Sequence, residues 1–389
     1  MKKRTKKRKL LYFATEDWYF CSHRLPHAIA ASNAGFEVVI VCNVTKHLGR
    51  ITKHGLRVIP LRFIRSSMNP IREFRVLLQL IRIYLKEKPD IVQHVAIKPI
   101  IYGTIAARLS GVVGIFNSIA GLGYIFISKN ILAKILKPPV KLALTWALNQ
   151  KNGFTILQNK DDQNFLRKER IIYSKRLQII AGSGVNTKKF SYSPEPAITD
   201  DGPLIVCVSR MLWDKGIGEL IHATEKLRKE DIKFRLALIG TPDPANPASI
   251  PLGQIQRWKR AKLIEYWGYI ENIEKVYRKC HIVVLPSYRE GMPKSLLEAA
   301  SASRPIITTN VPGCKEIVKD QINGILIEAK TINPLAESMK RLLKNKAIRK
   351  KMGKAGRKII KKRFSEEIIT KKTVLLYERF YQEKKTSLK

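Results

Sequence analysis

The stretch HIVVLPSYREGMPKSLLEAA, residues 281–300, reads as a buried strand, a short loop and the mouth of a helix. The apolar run HIVVLPS is rich in β-branched residues, long enough for a strand and short for a helix. Pro293 suits the first helical position, where no amide hydrogen is needed. A helix is therefore expected over about 294–303. The amides of Lys294, Ser295 and Leu296 would then lack intrahelical partners and would suit a phosphate or sugar oxygen. Yet Glu290 stands before this mouth and Glu298 stands inside it, eight residues on. A ligand with hydroxyls at both ends and negative charge between them would satisfy the whole set. A turn-capping Glu290 and a surface-facing Glu298 would explain it too.

The same strand–loop–helix rhythm runs outward in both directions. Strands are expected at 10–15, 37–43, 57–61, 90–96, 114–120, 154–159 and 177–182, with helical patterns at 24–34, 71–87 and 130–150. After 188–203, KKFSYSPEPAITDDGP, a second series follows at 204–211, 234–240, 264–270, 281–287, 305–311 and 324–328. Its helices are expected near 217–229, 272–279, 294–303, 313–319 and 334–345. Alternation of this kind implies parallel sheets covered by helices on both faces. The fold class is α/β, with two Rossmann-like doubly wound domains in tandem. The expected division is 1–190, a proline-rich linker at 191–203, and 204–365. A last helix, about 366–389, is expected to pack back on the first domain. Ligands of such folds bind outside the carboxyl ends of the strands, so the expected active site is the interdomain cleft.

In VSRMLWDKG, 208–216, Arg210 and Lys215 fall on the turn after a strand, beside a helix start and Gly216 and Gly218. Two cations there suit a diphosphate. A solvated basic loop is the plain alternative.

The chain's charge is extreme. Its 389 residues carry 73 Lys and Arg against 31 Asp and Glu, a net +42. Such a field attracts polyanions: nucleic acid, an acidic membrane surface or phosphorylated ligands. Seven of the first nine residues are basic, and 340–363 holds thirteen basic residues and no acid. The five scattered cysteines include no CxxC pair and read as reduced core thiols. The apolar run after the basic start is only LLYFA, too short for a secretory signal. The longest charge-free stretch, 109–128, carries four glycines and reads as strand and loop rather than a membrane span.

In combination, the Arg–Lys pair and the E-x7-E pair, with AGSGVNTKKF (181–190), EGMPKSLLEAA (290–300), RPIITTNVPGCKEIV (304–318) and INGILI (322–327), resemble the retaining glycosyltransferases of family 4 over nearly the whole chain. ATEDWYFCSHRLPHAIAASNAGFEVVIV, PDIVQHVAIKPIIYGTIAARLSGV and FNSIAGLGYIF are similar to the subgroup that extends undecaprenyl-diphosphate-linked glycans. The resemblance implies a GT-B fold. It also implies transfer of an N-acetylhexosamine-type sugar, with retention, from a nucleotide-diphosphate donor, a UDP-sugar, to a polyprenyl-diphosphate-linked acceptor. By the same resemblance Arg210 and Lys215 hold the donor diphosphate. Glu290 meets the donor sugar and Glu298 the ribose, while Gly291, Met292, Pro293, Lys294 and Ser295 line the donor site. His94 is the candidate reaching the donor sugar from the first domain, although the family's histidine aligns with Val95 or Gln93. Asp17, His23 and Arg24, in TEDWYFCSHR where the family has a glycine-rich loop, are candidates for acceptor or phosphate contacts; capping of the first helix is the alternative for His23 and Arg24. There is no DxD motif, and neither a metal nor a cofactor is expected. The expected location is cytoplasmic, on the inner face of the membrane. Two rival classes remain: a basic nucleic-acid-binding protein, and a sugar-nucleotide epimerase of the same fold.

Overall fold

The computed structural model describes residues 8–64, 67, 69–121, 126 and 131–387. The basic run 1–7 and residues 122–125 of the FNSIAGLGYIF motif lie outside the described residues. The chain forms two compact units. The first is Met1–Ser183 with Ile369–Lys389, and the second is Gly184–Ile368.

The first unit runs β1 (Lys9–Glu16), α1 (Asp17–His23), α2 (Leu25–Asn33), β2 (Glu37–Asn43), α3 (Leu48–Thr52), β3 (Arg57–Pro60), α4 (Pro70–Glu87), β4 (Ile91–Val95), α5 (Ile97–Leu109), β5 (Gly114–Ser118), α6 (Ile131–Leu148), β6 (Gly153–Leu157), α7 (Lys160–Lys168) and β7 (Leu177–Ile179). Its seven strands are parallel in the order β3-β2-β1-β4-β5-β6-β7. Side chains alternate across a strand, and both faces of this sheet are buried. Leu10, Tyr12 and Ala14 of β1 enter one core cluster with Val38, Ile40 and Cys42 of β2. Leu11 and Phe13 enter the opposite cluster with Val39 and Val41.

The second unit runs β8 (Leu204–Val208), α8 (Ile217–Lys229), β9 (Arg235–Ile239), α9 (Leu252–Arg260), β10 (Glu265–Gly268), α10 (Ile273–Lys279), β11 (Ile282–Leu285), α11 (Lys294–Ser301), β12 (Ile306–Thr309), α12 (Cys314–Ile317), β13 (Gly324–Ile327), α13 (Asn333–Lys344) and α14 (Lys346–Arg363). Its six strands are parallel in the order β10-β9-β8-β11-β12-β13.

The final helix, α15 (Glu366–Ser387), returns to the first unit. Ile369, Leu376, Tyr377 and Phe380 complete the core cluster around β1 and β2. The Tyr377 hydroxyl lies 3.0 Å from that of Tyr12 and donates to Gln93.

The helix expected at 24–34 forms as α2, Leu25–Asn33, and a further short helix, α1, precedes it and meets it at Arg24. One expectation changes in detail. The proline-rich segment expected to link the domains is pinned within the second unit. Glu195 pairs with Arg349 at 2.5 Å, and the Arg304 guanidinium donates to the Pro194 carbonyl at 3.0 Å. All five cysteines are buried free thiols. No helix among the described residues is long and apolar enough to cross a membrane.

Candidate active site

Strand order reverses in the second unit between β8 and β11, because β9 lies to one side of β8 and β11 to the other. Such a switch point leaves a crevice at the strands' carboxyl ends. Arg210 and Lys215 follow β8, and Glu290 and Glu298 follow β11. The sequence's two pairs of candidates therefore meet at one edge.

Lys215 closes a 3-10 turn, Trp213–Lys215, and Gly216 follows with φ +70°. A Cβ on Gly216 would lie 2.1 Å from the Pro286 carbonyl oxygen. Only glycine lets this turn pass so close to the end of β11. The Lys215 ammonium then sits 2.5 Å from Glu290 Oε1, with side-chain exposures of 16% and 14%. Arg210 is more open and pairs at 2.6 Å with Asp243 on the loop after β9.

The loop bearing Glu290 is stitched to its neighbours. The Tyr288 amide donates to the Asp214 carbonyl at 2.9 Å, and the Tyr288 hydroxyl to Glu219 at 2.6 Å. Thr309 Oγ1 donates to the Ser287 carbonyl, and the Glu290 amide to that of Pro312 at 3.3 Å. These bonds fix Glu290 relative to three strand ends.

The helix mouth differs from expectation by one residue. Pro293 is the N-cap and α11 begins at Lys294. The Leu296 amide donates to the Pro293 carbonyl at 3.2 Å, so it is not one of the open amides. Met292 and Pro293 bury their side chains, while Gly291, Lys294 and Ser295 are half-buried. Glu298 is 8% exposed, which overturns its reading as a surface acid. Burial raises its carboxyl to about 7, opposed by Lys294, Lys189 and the Tyr277 hydroxyl. The Lys294 ammonium stands 3.9 Å from Glu298 Oε1, and the Tyr277 hydroxyl 3.5 Å from Oε2.

The first unit also has a switch point, between β1 and β4, and its candidates are held by their surroundings. His94 lies within β4 and is fully buried. Its Nδ1 lies 2.8 Å from Asn117 Oδ1 and its Nε2 3.1 Å from the Tyr84 hydroxyl. Gly103 of α5 backs onto the ring so closely that a Cβ there would fall 2.3 Å from it. Burial lowers its pKa to about 4, with the Asn117 bond opposing. The side chain points into the face under α4 and α5 rather than out of the strand end. In this structure it is a core histidine with both ring nitrogens satisfied.

Asp17 is likewise fully buried. Its carboxylate accepts from Thr45 N (2.8 Å), Thr45 Oγ1 (2.6 Å), His47 N (2.9 Å) and Trp18 N (2.7 Å). Burial alone would raise its pKa, but these bonds outweigh it and the net direction is downward. Asp17 thus ties the start of α1 to the loop after β2. His23 stacks on Tyr19 at 4.6 Å in the last turn of α1. Arg24, 4% exposed, is the junction between α1 and α2.

Asp243 and Tyr277 were not singled out from sequence. Asp243 lies in the polar loop TPDPANP, and Tyr277 in the short helix α10, whose heptapeptide IEKVYRK reads as surface.

Comparison with known proteins covers most of the chain. The model for glycosyl transferases group 1 matches residues 188–359, and that for glycosyl transferase 4-like matches 9–157. The N,N'-diacetylbacillosaminyl-diphospho-undecaprenol alpha-1,3-N-acetylgalactosaminyltransferase of Campylobacter jejuni is 25% identical over 367 residues, 92% of this chain and 94% of that protein. The UDP-Gal:alpha-D-GlcNAc-diphosphoundecaprenol alpha-1,3-galactosyltransferase of Escherichia coli is 23% identical over 81% of this chain and 82% of that one. Among solved structures, sucrose-phosphate synthase from Thermosynechococcus elongatus matches with a TM-score of 0.81 at 18% identity, covering 97% of this chain and all of that one.

Proposed function

Because the chain belongs to the glycosyl transferase group 1 family and is a GT-B glycosyltransferase, we propose that it moves an N-acetylhexosamine-type sugar, with retention, from a UDP-sugar to a polyprenyl-diphosphate-linked glycan. The contact that carries this reading is Lys215 against Glu290 at 2.5 Å, made across the switch point of the second sheet. It brings a cation and a hydroxyl acceptor to neighbouring positions, as the diphosphate and sugar of one donor require. The acceptor class is supported by the two relatives, whose names specify undecaprenol-diphosphate-linked substrates and alpha-1,3 linkages.

In this reading Arg210 and Lys215 draw the donor diphosphate, which competes with Asp243 and Glu290 for these two cations. Glu290 accepts from a hydroxyl of the donor sugar, and Glu298, when ionised, from the ribose diol. Gly291, Lys294 and Ser295 line the approach, with Met292 and Pro293 contributing backbone. The bond between the anomeric carbon and the diphosphate oxygen breaks, and its electron pair leaves with the diphosphate. The acceptor hydroxyl adds on the same face, and its proton passes to the departing oxygen. The chief demand is positive charge aimed at that leaving group. No step needs a metal or cofactor in this reading.

The chain also fits reversible docking on an acidic membrane. The outer face of α4 exposes Ile71, Phe74, Leu78 and Leu85 among exposed Arg72, Arg75, Arg82 and Lys86. Apolar residues interleaved with cations suit a membrane interface. A cytoplasmic-leaflet location follows from the undecaprenol-linked substrate class.

The test is release of UDP from a panel of UDP-sugars with a polyprenyl-diphosphate-linked acceptor. Glu290→Ala, Arg210→Ala and Lys215→Ala should each cut turnover about 100-fold or more, the scale of losing one preorganised charge partner. Near-normal turnover in all three refutes the site. UDP-sugar conversion without acceptor would favour an epimerase. A salt-sensitive gel shift with mixed-sequence RNA and no sugar transfer would favour the nucleic-acid reading.

A further inference from the structure

The second unit holds another feature suited to an anion, away from the donor residues. Helix α14 carries ten basic residues among eighteen and no acid. Lys354, Lys358 and Lys361 recur at intervals of three and four, so they share one face. That face borders a hollow of about 630 Å³ completed by Tyr192 and Ser303. Arg357 lies between the lysines, with its guanidinium donating to the Phe190 carbonyl at 3.0 Å and to that of Ser301. It is held by backbone oxygens, and among the described residues none of these four cations has a carboxylate partner.

Ser303 supplies an independent sign. It is 7% exposed, and its Oγ is buried without a hydrogen-bond partner. A buried hydroxyl left unpaired is costly. Ser303 is also in a left-handed conformation, φ 62°, and its carbonyl lies where a Cβ on Gly353 of α14 would fall within 2.1 Å. The close approach of α14 thus places Ser303, with its unpaired hydroxyl, in the lining of the hollow that Lys354, Arg357, Lys358 and Lys361 also line. A phosphate group would satisfy both at once, because its oxygens accept from hydroxyl and ammonium donors alike.

We propose that this hollow binds a phosphate-bearing ligand, with Ser303 as the hydroxyl donor and Lys354, Arg357, Lys358 and Lys361 as the cations. A lipid headgroup and a soluble diphosphate share this chemistry. The inference does not depend on the sugar-transfer reading, and the variants that test it avoid the donor residues.

The test uses the full chain in two arms. One is sedimentation with phosphatidylglycerol–phosphatidylcholine vesicles against phosphatidylcholine alone. The other is calorimetric titration with inorganic pyrophosphate. The triple variant Lys354→Ala, Lys358→Ala, Lys361→Ala should weaken binding at least tenfold in the arm where binding occurs. A control triple of equal charge on the same helix, Lys346→Ala, Lys350→Ala, Lys351→Ala, should weaken it less than threefold. Ser303→Gly removes the hydroxyl at a position whose backbone suits glycine and should weaken binding about threefold or more. Binding confined to acidic vesicles assigns the site to a lipid headgroup; binding of pyrophosphate assigns it to a soluble anion. Equal losses from the two triples, unchanged affinity in Ser303→Gly, or no binding in either arm would overturn the proposal.

Discussion

Replacing Glu298 by Gln tests the burial of that carboxyl through the pH dependence of stability. The folded protein holds Glu298 at about 7 against an ordinary value of 4.5. A raised carboxyl favours the protonated form in the fold, so the folded state binds more protons than the unfolded chain between those values. Below about 4.5 both states are protonated and the group makes no difference. As pH rises to 7 the fold bears a growing cost, complete above 7. At about 1.4 kcal/mol per unit, the gap amounts to about 3.5 kcal/mol in full. Glutamine stays neutral and keeps nearly the same volume. Urea denaturation of wild type and Glu298→Gln at pH 5, 6, 7 and 8 would measure the difference. Other titrating groups are common to both proteins and cancel. The variant should gain about 2.5 kcal/mol over wild type between pH 5 and pH 8. A constant difference, or one that shrinks with pH, would refute the reasoning. In the proposed function ionised Glu298 accepts from the ribose diol, so wild-type UDP affinity should rise toward pH 8 while the variant's stays flat.

Two further outcomes follow from the packing. His94→Ala should cost about 2–4 kcal/mol, since it opens a cavity and strands Asn117 and Tyr84 without their partners; its kcat per folded molecule should stay within about twofold of wild type, measured beside a denaturant titration. Gly216→Ala places a Cβ 2.1 Å from the Pro286 carbonyl in a left-handed turn. Transfer should fall more than tenfold as Lys215 leaves Glu290, with melting temperature and kcat read on the same sample.

All thirteen strands were legible because each is a short apolar run closed by polar or turn-forming residues. Helix α5 left no such trace. Its sequence IKPIIYGTIAARL is apolar around most of its circumference, so no one-sided period appears. Short polar α7 and α9 were also passed over; α7 is set instead by Asn159, whose side chain accepts from the Asp162 amide. The placement of Arg210, Lys215 and Glu290 at one edge was legible because all three lie just beyond the ends of β8 and β11. His94 lies inside a strand, and its direction is a matter of which face it takes. In β4 the neighbouring Gln93 bonds Tyr377 on one side of the sheet and His94 bonds Tyr84 on the other. The surroundings of Asp17 were hidden for a related reason: its four donors come partly from Thr45 and His47, remote in sequence and brought close only by the pairing of β1 with β2.

The return of α15 to the first unit has a consequence for biosynthesis. On the ribosome, β1 to β7 emerge first, yet the cluster around Tyr12 lacks Tyr377 and Phe380 until the last stretch is made. About 185 residues of the second unit intervene, roughly 10–40 s of translation at ordinary elongation rates. Throughout that interval the nascent first unit presents an open apolar face. The second unit, contiguous in sequence, can close earlier. The first unit, begun before the second, thus completes its core after it, and it is the unit that a nascent-chain chaperone would need to shield.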